Sequence, residues 1–223
     1  MFGFGFGFGR QPAPPVAGGG GPSFPSTGLV AYWGFDDSLT DSVGSNVLTA
    51  SGGNSYVTGK LGTKALQLTG GNTATTFDAT ISACFAGACS IQIWAKSATI
   101  STGFTPLDAG GSQWSVTAYD TSQAGAYDIG NSGATINGTD TLVDDTWFHI
   151  VVTSDGGTSP AKMYVNNHAY TGDLSVALGD GGQLQIGGAT AATITVDACA
   201  VWNVCLTAQQ VSTLYNSGNG LSP

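Results

Sequence analysis

From Trp147 to Val152 the chain alternates Trp147, His149 and Val151 with Phe148, Ile150 and Val152, so that both phases of a period-two pattern carry apolar residues. A strand that is apolar in both phases belongs inside a sheet covered on its two faces. Asp155, Gly156, Gly157 and Pro160 then break the pattern and Met163 to Val165 resume it, which predicts a hairpin. Paired turn residues recur at 52–53, 70–71, 110–111, 137–138, 156–157, 181–182 and 187–188, a spacing that suits short strands in a sandwich. Asn137-Gly138 has the composition of a primed two-residue hairpin turn. Helical periodicity is predicted once, near the end: Thr207 caps, Gln210 completes a capping box, and Val211, Leu214 and Tyr215 form an apolar stripe that stops at Asn216 and Gly218. The pattern predicts an all-β domain over 27–223 with one short C-terminal helix.

Residues 1–26 differ from the rest. Phe2, Phe4, Phe6 and Phe8 alternate with glycine, and a Pro- and Gly-rich stretch follows up to Ser26. In an extended strand all four rings share one face. Burying them contributes on the order of 6–12 kcal/mol, whereas ordering nine residues costs on the order of 14 kcal/mol. Phe2 to Phe8 therefore need a sheet edge or copies of themselves to become an assembly arm, with a low-complexity tail as the alternative. Gln11 to Ser26 make a spacer.

Composition removes several classes of function. The 223 residues carry 35 Gly, only 9% charged residues and a net charge of −9; the acids are all Asp, against five Lys and Arg. Nucleic-acid binding is excluded as an expectation, because phosphates require clustered basic side chains. No run approaches the roughly 20 apolar residues of a membrane-spanning helix, and the Gly-broken N-terminus does not resemble a secretion signal. Cys84 and Cys89 bracket a small loop and make a local disulfide geometrically easy, with free thiols as the alternative; Cys199 and Cys205 suit buried thiols.

Four blocks in order carry a family resemblance: Leu29–Phe35 (LVAYWGF), Gly62–Gly70 (GTKALQLTG), Ser90–Lys96 (SIQIWAK) and Leu184–Leu206, with Trp147–Asn167 between the last two. Together they resemble the laminin-G-like, concanavalin-A-like jelly-roll domains over roughly residues 28–218. The resemblance implies a two-sheet antiparallel jelly-roll sandwich, preceded here by an extended N-terminal arm. It also implies a calcium ion held by Asp36, Asp37 and Asp41 after the opening strand, with Asn46 nearby and Asp197 on the closing strand. Ala198 departs from the family, which commonly has a second acid there. A glucanase on this architecture would use two glutamates, and the chain has none, so no enzymatic activity is expected. Glycan adhesion would need aromatic rings beside polar groups: Trp114, Tyr119 and Tyr127, with Asn131, lie in the variable middle and are candidates for a stacking platform.

Two functions fit these features. In one, the protein is a virion-surface decoration or fibre component, forming homo-oligomers and anchored to other virion proteins by its arm. In the other it is an extracellular carbohydrate-binding lectin, which has little use for a Phe-Gly arm.

Overall fold

The computed structural model describes residues 21–109, 114–119, 126–131, 134–157, 161–171, 183–188 and 192–223, with the backbone alone at 109, 119, 126–131, 134 and 135. Phe2, Phe4, Phe6 and Phe8 lie outside the described residues. The elements follow the chain as β1 (Leu29–Trp33), β2 (Thr49–Ala50), β3 (Asn54–Thr58), β4 (Lys64–Leu68), β5 (Thr73–Thr76), α1 (Ala79–Phe85), β6 (Ala88–Ser97), β7 (Phe104–Ala109), β8 (Trp114–Tyr119), β9 (Ala126–Asn131), β10 (Ala134–Gly138), β11 (Phe148–Asp155), β12 (Lys162–Val165), β13 (His168–Thr171), β14 (Leu184–Gly187), β15 (Ile194–Trp202) and α2 (Ala208–Tyr215).

Two antiparallel sheets result. One runs β13-β12-β11-β6-β15-β4-β3 and the other β10-β9-β8-β7-β14-β5-β2. In the first sheet β15 pairs with β6 along one side and changes partner along the other: Ile194–Val196 face β4, and Cys199–Trp202 face β1. The change falls at an irregularity between Asp197 and Ala200, where Ala198 takes a φ of 49°. A bulge at that point lets one strand serve two neighbours in succession.

The two phases of apolar residues in β11 have two destinations. Phe148, Ile150 and Val152 enter the core between the sheets, together with Ile91, Ile93, Val196 and Val201. Val151 faces the other way and joins Trp94, Ala200, Trp202 and Leu206 in a second cluster, which Val211 and Leu214 of α2 cover. Each of those two helix residues contributes about 1.5–3 kcal/mol by burial. The helix starts as its sequence predicts: Thr207 Oγ1 accepts from the Gln210 N–H (3.3 Å), and Gln210 Oε1 accepts from the Thr207 N–H (2.9 Å).

The second cluster also receives the start of the described chain. Phe24 stacks on Trp202 at 5.7 Å and meets Tyr32 edge-on at 5.9 Å, while Trp202 Nε1 donates to the Pro25 carbonyl (2.7 Å). Among the described residues Phe24 and Pro25, which belong to the expected spacer, are thus packed on β15.

Two local expectations fail. Asn137-Gly138 forms no hairpin turn: it lies on β10, paired with Asp128 and Tyr127 of β9. The sequence reading also missed α1, which Asp78 caps by accepting the Thr80 N–H (2.7 Å) and which buries Ile81, Cys84 and Phe85.

Candidate binding surface

Three of the four acids assigned to calcium accept from backbone donors. Asp41, 4% exposed, stands where a neighbouring strand would otherwise pair with β1: its Oδ1 accepts from the Tyr32 N–H (2.9 Å) and the Val43 N–H (2.8 Å), and its Oδ2 from Asn46 Nδ2 (2.7 Å). Burial pushes its pKa up, but the Tyr32 N–H and the Asn46 amide outweigh burial and hold it below the ordinary value. Asp36 ties the β3–β4 hairpin, its Oδ1 accepting from the N–H groups of Thr63 and Lys64 (both 2.7 Å) and from Thr63 Oγ1 (2.9 Å). Asp197 Oδ2 holds the same hairpin through the N–H groups of Lys60 (2.7 Å) and Leu61 (2.8 Å). Asp37 is exposed in a left-handed turn.

Among the described residues no three Asp, His or Cys side chains are grouped as ligands of one ion. A hard cation wants several convergent oxygens, whereas Asp41 here serves the loop after β1, and Asp36 and Asp197 each hold the β3–β4 hairpin. The calcium set expected from Asp36, Asp37, Asp41 and Asp197 is not assembled.

The aromatic platform changes as well. Trp114 is 1% exposed and packs edge-on against Phe85 at 5.4 Å, so neither face of its ring is open to a sugar. Its place on β8 turns it into the core, where a large side chain fills the space above α1. The side chains of Tyr119, Tyr127 and Asn131 lie outside the described residues; their backbones pair on β8 and β9.

All four cysteines are free. Cys84 sits on the buried face of α1 and Cys89 on β6, so the loop expected to close a disulfide is instead a helix end joined to a strand. Burial foremost raises the Cys89 thiol pKa, to about 12, which keeps it protonated and unreactive. Cys199 is buried as expected, but Cys205 is exposed. Alkylation of the native protein should therefore add one label, at Cys205, and alkylation after unfolding without reductant should add four; two labels in the unfolded state would mean a disulfide.

His149 is fully buried on β11, its Nε2 2.9 Å from Gln92 Oε1 and its ring stacked on Trp94 at 4.8 Å. Burial drives its pKa down to about 3, so it stays neutral. His168 is exposed, with Nδ1 3.0 Å from Asp140 Oδ1 and 2.9 Å from Tyr170 Oη.

One concavity was not anticipated. Between the β11–β12 hairpin and the start of α2 lies a groove of about 250 Å³, lined by Thr153, Lys162, Tyr164, Cys205, Leu206 and Ala208, with Asp155 beside them. The capping box at Thr207 was legible, but strand pairing alone brings the hairpin against it.

Comparison with known proteins agrees with this architecture. No curated protein matches the chain. Among solved structures it is similar to botulinum neurotoxin type C, whose passage into cells depends on interaction with two ganglioside molecules, at 13% identity and a TM-score of 0.68, over 86% of this chain and 51% of that one. The binding domain of botulinum neurotoxin DC, solved with SialylT, is similar at 12% identity and a TM-score of 0.66, over 85% and 51%. The same domain with rat synaptotagmin II gives 12% identity and 0.66, over 86% and 52%. The chain spans about half the length of these neighbours, and at such identities they show the fold. A laminin-G-type family model matches residues 66–212. The protein belongs to the concanavalin A-like lectin/glucanases superfamily.

Proposed function

We propose that this protein is a non-enzymatic, glycan-binding jelly roll displayed on a virion surface, as a decoration or fibre component held by its N-terminal arm. The clasp at Phe24 carries this reading. It ties Phe24 and Pro25 to β15, and among the described residues both sheets are built from residue 29 onward. A Phe-Gly alternation ahead of a lectin-like fold suits an anchor, since repeated copies multiply weak contacts. Glycan adhesion is supported by the superfamily and by the ganglioside dependence and SialylT complex of neurotoxins that share the fold. The absence of glutamate from the sequence, with Asp36, Asp41 and Asp197 committed to backbone donors, supports binding over hydrolysis. A free lectin is the second reading, because the family match lies wholly within 66–212.

The test compares the full chain with residues 21–223, which keep Phe24, by light scattering after size exclusion and by retention on immobilised glycans. Defined oligomers from the full chain alone, with glycan retention by both, are expected. Equal masses would remove the assembly role; absence of retention would remove the lectin role.

A further inference from the structure

We propose that the groove between the β11–β12 hairpin and the start of α2 is a saccharide site for an acidic sugar, one that carries a carboxylate or a sulfate. The proposal rests on the glycan-binding reading above and names its site.

Tyr164 is the first indication. It is 4% exposed and lines the groove, yet among the described residues its hydroxyl has no hydrogen-bond partner. The ring is buried while the hydroxyl still reaches solvent, so Tyr164 presents a fixed donor at the groove. Burial, followed by the neighbouring Cys205, raises its pKa, so at neutral pH it offers an O–H donor. A ligand oxygen would complete it.

Two more donors face the same space. Lys162 stands opposite Thr153 on β12 and makes no ion pair among the described residues, unlike Lys96, which binds Asp145 at 2.7 Å. Ala208 is the first residue of α2, so its N–H has no acceptor within the helix, and the Thr207 hydroxyl serves Gln210 instead. The one acid at the groove, Asp155, holds its own turn through the Gly157 N–H (3.3 Å). The Asp155 carboxylate also lines the groove and offsets part of the Lys162 charge, but the three donors outnumber it and suit a ligand rich in acceptors, such as the carboxylate or sulfate of an acidic sugar.

The remaining wall is apolar: Leu206, the Tyr164 ring and Cys205 suit the non-polar face of a pyranose. At about 250 Å³ the groove is close to the roughly 300 Å³ lower end of ligand pockets, which suits one sugar residue. The net charge of −9 does not forbid an anion there, since charges beyond about 8 Å are largely screened at physiological salt.

Cys205 provides the test, being the one exposed thiol and part of the wall. The full chain is applied to immobilised sialylated, sulfated and neutral oligosaccharides before and after modification with N-ethylmaleimide. Acidic glycans should be retained by the unmodified protein, at least tenfold less by the modified protein and by Lys162→Ala, and several-fold less by Tyr164→Phe. The sialylated and sulfated arms distinguish carboxylate from sulfate. Undiminished retention after modification would put the site elsewhere and leave the glycan reading standing. Retention of neutral sugars alone overturns the acidic preference. No retention of any glycan by the unmodified protein overturns both readings.

Discussion

Trp202→Ala is expected to destabilise the protein by about 3–5 kcal/mol, the range for removing a large buried aromatic side chain. Trp202 is fully buried at the end of β15, and it joins three parts of the molecule: the strand that carries it, the second hydrophobic cluster, and the start of the described chain through Phe24 and Pro25. Alanine leaves a cavity under α2 and frees Phe24 from its stacking partner. Trp202→Phe keeps a ring for Phe24 but loses the bond to the Pro25 carbonyl, a net effect of about 1 kcal/mol. Urea unfolding should show the midpoint falling in that order with little change in slope. A loss below about 1 kcal/mol for the alanine variant would mean that the clasp and the cluster beneath it are not packed as described.

The second large effect concerns pH. Asp197 is fully buried, and its pKa is raised to about 7: burial dominates, against the Lys60 and Leu61 N–H groups that favour the ionised form. Between pH 4 and 7 the folded state keeps a proton that the unfolded chain has released. Asp197 therefore stabilises at low pH, and that contribution is lost at about 1.4 kcal/mol per unit as pH rises. His149 acts in the opposite sense. Its folded pKa of about 3 lies below the ordinary 6.5, so acidification through 6.5 favours the unfolded state, which takes up the proton. In the wild type these slopes offset each other between pH 4 and 6.5. Asp36 and Asp41, both held below the ordinary carboxylate value, lose their contribution only in more acidic solution.

Asp197→Asn separates the two buried groups. Asparagine keeps an oxygen for the Lys60 and Leu61 N–H groups and carries no titrating proton. Relative to wild type, the variant should gain up to about 3 kcal/mol between pH 4.5 and pH 7, as read from urea unfolding of both proteins at the two values. A difference in stability that does not move with pH would show that Asp197 is ionised in the fold throughout.

The sandwich was legible because its cause is local. Alternation in Trp147–Val152 and the break at Asp155–Gly157 specify β11 and its hairpin whatever lies around them. The capping box at Thr207 and Gln210 likewise needs no tertiary information. Asn137-Gly138 misled because turn composition is only a preference, and pairing with Asp128 and Tyr127 overrode it. Helix α1 was legible in principle: Asp78 followed by Ile81, Cys84 and Phe85 is a cap with a helical stripe, hidden by reading Cys84 and Cys89 as a disulfide loop. The site was harder to foresee, for two reasons. An aspartate that binds metal and one that caps a loop are the same in sequence, and only the donors around Asp36, Asp41 and Asp197 separate them. Lys162 and Tyr164 share one face of β12 by strand alternation, but nothing in the sequence relates that face to Ala208 at the start of α2.

The place of β15 in the first sheet also bears on how the protein is made. Strands β1, β4 and β6 all pair with a segment that leaves the ribosome after them, so the centre of that sheet stays open through most of synthesis. Contacts between segments so distant in sequence close slowly. Nascent chains stalled before Ile194 should remain unfolded and prone to associate, and folding should follow the emergence of β15 as one late event rather than strand by strand.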